Sequence, residues 1–139
     1  MKINHLLTKV VLGLWVGVAS LAASAQSMKV TLTGAQEVPP VMTSASGVGE
    51  IMVAPDGSVS GTITTSGIEG TMAHIHEASI GQNGPVIVSF AKASENVWSA
   101  PAGAKLTDAQ LQSLKSGNLY LNVHNATNKS GEIRAQLKP

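Results

Sequence analysis

Short segments of alternating apolar and polar residues, separated by turn residues, dominate this chain. A period of two indicates strands with one face toward a core, because successive side chains of a strand point to opposite sides. Pro55-Asp56-Gly57, between two such segments, is a strong hairpin signal. The pattern predicts an all-β, antiparallel sandwich or barrel of Greek-key type with about seven strands. The seven predicted segments are residues 28–33, 49–54, 58–66, 71–77, 85–91, 118–124 and 131–137.

One segment of the chain, LTDAQLQSLKSG at residues 106–117, carries helical signals instead. Thr107 is a suitable N-cap, and Gln110 three residues later completes a capping box. Leu106 and Leu111 are spaced as a hydrophobic staple around that cap. We therefore expect one short helix within the β domain.

The first 25 residues have the features of a secretory signal peptide. Lys2 and Lys9 are basic, residues 10–22 form an uncharged apolar run, and Ala23-Ser24-Ala25 resembles a cleavage site. The apolar run is shorter than the roughly 20 residues of a membrane-spanning helix. We expect cleavage near Ala25, export to the periplasm or the exterior, and one mature domain at residues 26–139.

The charge and cysteine content of residues 26–139 exclude several partner classes. This region has seven basic and eight acidic residues, a formal charge of −1, and no cysteine. Nucleic-acid and anionic-membrane surfaces call for concentrated positive charge, so we expect neither partner, and we expect no membrane span in the mature chain. Without thiolates, a metal site depends on His, Met, carboxylate or backbone groups.

The segment TMAHIHE, residues 71–77, holds two histidines one residue apart. Strand parity puts Ala73 and Ile75 on the core face and turns His74 and His76 to the other face. In NLYLNVH, the same parity directs Tyr120 and His124 away from the aliphatic face, and in GEIRAQL it directs Arg134 outward. All three histidines are therefore expected to point outward, as metal ligands or as solvated surface residues.

The spacing of the pair is compatible with a metal site. Residues i and i+2 of a strand lie roughly 6.6 Å apart at Cα, so two imidazoles can lean onto one ion. His124 supplies a third ligand if its strand neighbours residues 71–77. This predicts a copper or zinc site at His74, His76 and His124. Met72 is a weaker candidate, as a thioether ligand. Glu132 is either an acceptor for an imidazole N–H or part of a cross-strand charge ladder with Arg134.

Three segments of the chain resemble the CHRD domain, a chordin-type family. They are VTLTGAQEVPPV, AHIHEASIGQNGPVIVSF and GNLYLNVHNATNKSGEIRAQL, and the resemblance covers about residues 28–138. MAHIHEASIG and GNLYLNVHN are also distantly similar to the copper-binding strands of Cu/Zn superoxide dismutase, an antiparallel sandwich or barrel. That likeness implies copper ligation by His74, His76 and His124. The bridging histidine, zinc ligands and cysteine pair of the dismutase have no counterpart here.

Three functions are compatible with these features. The first is an exported module that binds copper or zinc. The second is a minimal copper oxidoreductase acting on superoxide, which needs an open coordination position on the ion. The third is an adhesion or protein-interaction module without metal, whose protein partner the sequence does not identify. No catalytic constellation or organic-cofactor motif stands out, so a binding role is favoured over an enzyme.

Overall fold

A computed structural model of the chain describes residues 22–139. The predicted signal peptide lies outside these residues except for its last four, so it stays a prediction. Within residues 22–139 there are nine strands and one α-helix. They are β1 (Gln26–Thr33), β2 (Ser46–Val53), β3 (Val59–Ser66), β4 (Met72–Glu77), β5 (Val86–Ser89), β6 (Ala91–Ser94), β7 (Val97–Ser99), α1 (Asp108–Lys115), β8 (Leu119–His124) and β9 (Ile133–Leu137).

The nine strands form one antiparallel sheet in the order β5-β4-β8-β9-β1-β2-β3-β7-β6. Its two end strands, β5 and β6, follow each other in the chain with only Phe90 between them. A single segment therefore borders both ends of the sheet, which curves into a nearly closed barrel. This confirms the predicted antiparallel β class.

The strand count differs from the prediction, because β6 and β7 were not expected. All four residues of β6 (AKAS) are exposed, and β7 has only three residues. Neither segment shows an apolar alternation long enough to be recognised. The two strands pair with each other, and β7 also pairs with β3, with Trp98 buried opposite Ile63. Tertiary pairing thus creates strands that the local pattern does not encode.

The core lies on the inner face of the barrel and is almost wholly aliphatic. The predicted helix is confirmed, with both halves of the capping box: the Gln110 N–H donates to Thr107 Oγ1, and the Thr107 N–H donates to Gln110 Oε1. Leu106 and Leu114 attach the helix to the core, at 2% and 0% exposure. Among residues 22–139, no helix has the length and apolarity needed to cross a membrane.

Candidate metal centre

Strands β4 and β8 lie side by side, and this brings the three predicted ligands together. In the register, Met72 is opposite His124, His74 opposite Asn122, and His76 opposite Tyr120. Each histidine has a ring nitrogen within 4.8 Å of a ring nitrogen of the other two. The ring centroids are separated by 4.8 Å (His74–His124), 5.3 Å (His74–His76) and 5.9 Å (His76–His124).

The outer face that holds the histidines is covered, contrary to the expectation of a solvated surface. Parity is as predicted, but His76 is 7% and His124 5% exposed, and only His74 is partly accessible. The neighbouring side chains Tyr120 and Arg134 are buried as well. Loop residues 78–84 and 128–131 bond to this face and shield it from water. The interpretation as solvated surface histidines is therefore wrong for two of the three.

Loop carbonyls determine which nitrogen of each buried ring carries the proton. His76 Nδ1 lies 3.0 Å from the Gly84 carbonyl oxygen, and His124 Nδ1 lies 2.8 Å from that of Lys129. Since a carbonyl only accepts hydrogen bonds, both Nδ1 atoms must carry hydrogen. In the neutral rings the Nε2 atoms therefore present lone pairs. His74 Nδ1, 3.0 Å from His124 Nε2, then acts as donor in the metal-free protein.

The three imidazoles are held in the neutral form that a metal ion needs. Burial, together with the neighbouring His124 and His76, lowers the pKa of His74 to about 4. Burial also lowers the pKa of His76 and of His124, although their hydrogen bonds to carbonyls oppose that effect. Competition between protons and an ion is therefore expected to begin below pH 6.5, the value of an unperturbed histidine.

One nitrogen of the cluster has no partner. His76 Nε2 is buried and makes no hydrogen bond with any of the described residues. A buried polar atom of this kind costs free energy unless something binds it. Nitrogens bound to one zinc ion at 2.0–2.1 Å lie within about 4.2 Å of one another. The donors here lie within 4.8 Å, so small ring movements would bring them into range.

The Gly84 peptide connects the histidines to the covering loop. Its carbonyl accepts from His76, while its N–H donates to the Tyr120 hydroxyl over 3.2 Å. A side chain at this position would overlap the carbonyl oxygen of Glu77, so only glycine permits the close approach. The Tyr120 ring stacks on the His76 ring at 4.8 Å and an interplanar angle of 3°.

The two weaker candidates, Glu132 and Met72, differ in outcome. Glu132 does not bond to an imidazole: Thr43 and Asn125 donate to its carboxylate, and carbonyl groups hold the rings instead. It therefore does not have the predicted accepting role, and no ion pair joins it to Arg134 among the described residues. Met72 is 47% exposed at the solvent edge, and its role as a ligand stays a prediction.

Sequence reasoning missed four contributors to this site: Tyr120, Arg134 and the carbonyls of Gly84 and Lys129. Parity already placed Tyr120 and Arg134 on the histidine face, so a signal for them existed. The two carbonyls could not be identified from residue types, because every residue has a backbone carbonyl. Their positions depend on how the loops fold back over the sheet.

The comparisons with known proteins give one match. The family model of the CHRD domain matches residues 28–137. Neither the curated proteins nor the solved structures contain a match.

Proposed function

Since the chain belongs to the CHRD domain family, we propose a function for it within that fold: binding of a copper or zinc ion by His74, His76 and His124. The observation that carries the proposal is the convergence of three neutral imidazoles around a buried, unpaired His76 Nε2. Three imidazoles and no thiolate form a ligand set suited to copper and zinc. The hydrogen bonds from His76 and His124 to carbonyls fix their rings, as is usual for metal ligands.

The test is a titration of the metal-free protein with Cu(I), Cu(II) and Zn(II), followed by competition with a chelator. We expect one ion per chain, and a loss of affinity of more than about 100-fold in the His74→Ala/His76→Ala double variant. Ser89→Ala is the matched control, because Ser89 pairs with His74 on the adjacent strand and is exposed. Equal binding by wild type and double variant would eliminate the metal site and favour the interaction module.

A second candidate function is oxidation–reduction at bound copper, with superoxide as the substrate. It is favoured by one feature: His74 is the least buried of the three histidines, so one side of the cluster is open to solvent. An open side is what a small substrate requires at a metal ion. Superoxide decay with the copper-loaded protein, compared with the double variant and with free copper, separates this activity from binding alone.

The same proposal includes export of the protein. Its support is the basic start, apolar run and small-residue site of residues 1–25. Fractionation of cells expressing the full chain, with N-terminal sequencing of the product, should give a mature protein that starts at Gln26. A cytoplasmic product that keeps residues 1–25 would contradict this.

A further inference from the structure

The buried cation Arg134 lies near His76, on the far side of the Tyr120 ring. The guanidinium carbon of Arg134 lies 3.5 Å from the centroid of the Tyr120 ring, which is itself stacked on His76. Strand β8 lies between β4 and β9 in the sheet, so His76 and Arg134 approach the Tyr120 ring from opposite sides. The order of the stack is therefore imidazole, phenol, guanidinium. Arginine suits the last position, because its planar group stacks on aromatic faces.

The charge of Arg134 is not neutralised by an ion pair. Its side chain is 1% exposed, and no carboxylate of residues 22–139 lies within salt-bridge distance of it. Its N–H groups donate to neutral acceptors: Asn83 Oδ1, the Gln82 carbonyl and Gln136 Oε1. Hydrogen bonds of this kind satisfy the donors but leave the net charge in place.

The carboxyl group that interacts with Arg134 only partly offsets this charge. Glu37 is 4% exposed, and burial raises its pKa to about 7, although Arg134 acts to lower it. Near neutral pH, Glu37 is therefore only partly ionised. Its Oε1 atom is buried and has no hydrogen-bond partner among the described residues. The region behind Tyr120 thus keeps positive charge at the pH where the histidines are neutral.

The ligand set adds nothing to oppose that charge, because all three ligands are neutral imidazoles. The penalty that a nearby cation imposes on a bound ion grows with the charge of that ion. We propose that Arg134, acting across Tyr120, makes the histidine cluster select for a monovalent ion, Cu(I), over the divalent ions Zn(II) and Cu(II). This inference rests on the proposed metal site and assigns the ion that the site prefers.

The size of the effect follows from the stacking distances. Charges roughly 8–10 Å apart in a protein, at an effective dielectric constant of about 20, change a binding constant by about tenfold or more per unit charge. Arg134 is a positioning and selectivity residue in this scheme, because it does not contact the ion. It also fixes the loop that carries Gly84 through Gln82 and Asn83, so a structural contribution must be distinguished from the electrostatic one.

The experiment compares affinities for Cu(I) and Zn(II) in wild type, Arg134→Gln and Arg134→Lys at pH 7. The Gln variant removes the charge and keeps a polar group, and we expect its Zn(II) affinity to rise about tenfold relative to its Cu(I) affinity. The Lys variant keeps the charge and should keep the wild-type ratio. Loss of loop structure alone would weaken both ions together, which would overturn the proposal. Lys138→Gln, which removes an exposed cation from the end of the same segment, should change nothing.

A second variant keeps the proposal falsifiable if Arg134→Gln folds poorly. In Glu37→Gln at pH 8, loss of a partly compensating negative charge should lower the Zn(II) affinity severalfold relative to Cu(I); an unchanged or raised ratio would overturn the proposal. Where Arg134→Gln does fold, its copper-loaded form gives a further readout: each tenfold shift toward Cu(II) lowers the reduction potential by about 59 mV. A potential equal to that of the wild type would overturn the proposal. If the wild type binds neither ion, the metal site itself fails. If it binds both ions, and the ratio of the two affinities does not change with the residue at position 134, only the proposed selectivity is wrong.

Discussion

The inner and outer faces of β4, β8 and β9 are both largely buried, yet they consist of opposite kinds of side chain. On the inner face, Ile75, Leu121 and Ile133 are 0% exposed; on the outer face, Asn122 and Arg134 are 1% exposed. The inner face is stabilised by removal of apolar surface from water, an effect that does not depend on the orientation of the interacting groups. The outer face depends instead on hydrogen bonds to two loops. Among the described residues, four buried polar side-chain atoms lack a hydrogen-bond partner, and three of them lie on this side, in Glu37, His76 and Asn122.

This contrast between the two faces indicates where a binding site can form. An apolar layer tolerates no unsatisfied donor or acceptor, whereas a covered polar layer can hold lone pairs ready for an ion at a cost in stability. The inner face is thus expected to determine stability, and the outer face to determine binding. Four predictions test this division.

The largest expected effect is on the inner face. Leu121→Ala removes a fully buried side chain and should lower the free energy of unfolding by about 2–5 kcal/mol, measured by urea denaturation. Tyr120→Phe, one residue away on the outer face, keeps the ring and removes only the acceptor of the Gly84 N–H. It should cost about 1 kcal/mol. Equal losses in the two variants would contradict the division.

The second effect belongs to the outer face. A metal ion present at 100 times its dissociation constant should stabilise the wild type by about 2.7 kcal/mol, and a chelator should remove this gain. Leu121→Ala should gain the same increment from the ion, although it is less stable. His74→Ala/His76→Ala should gain none. Denaturation curves with and without the ion measure all three.

The third prediction concerns the polar packing beneath the covering loop. Gly131 has φ +125°, and a Cβ there would overlap Glu37 Oε1 and Asn122 Nδ2. Gly81 also has positive φ, but open space surrounds it. We expect Gly131→Ala to cost about 1–3 kcal/mol more than Gly81→Ala, because only the first disturbs packed groups. Similar losses would mean that backbone conformation alone explains both.

The smallest effect is the pH dependence of the metal-free protein. His74 has a folded pKa of about 4 against the ordinary 6.5, so the unfolded chain binds its proton first. Stability from this residue is therefore complete above pH 6.5 and falls as pH decreases toward 4. Because the ring is partly exposed and solvent screens its charge, the loss is expected to be only about 1 kcal/mol. The contribution of Glu37 to stability changes in the opposite direction: it increases as the pH falls from 7 to 4.5, because the pKa of Glu37 is raised in the folded state.

These two dependences are separated by single variants. His74→Gln should lose stability less steeply on acidification than the wild type, whereas Glu37→Gln should lose it more steeply. Thermal unfolding of both variants from pH 8 to pH 5, without metal, measures the slopes. A Glu37→Gln protein with the wild-type slope would mean that its carboxyl group is not buried in the folded state.

Most of the strands and the helix could be predicted from the local pattern of residues. Period-two alternation located seven strands, and the Thr107–Gln110 capping box located the helix, because both depend on residues close in sequence. The exposed β6 was missed, since its pairing with β7 decides its conformation rather than its own composition. The residues of the cluster, His74, His76 and His124, were also predicted, and the structure brings them together; metal binding itself stays a proposal.

Strand parity is a property of an extended chain, so the sequence alone already directed the three histidines, Tyr120 and Arg134 to one side of the sheet. The fold, and not the local pattern, covers this side, places β4 beside β8 and stacks Arg134 on Tyr120 without an ion pair. The physical reason is that burial and charge compensation depend on loops distant in the chain, here residues 37, 78–84 and 128–131. Most hydrogen bonds between these loops and the outer face use backbone groups, which every residue type shares.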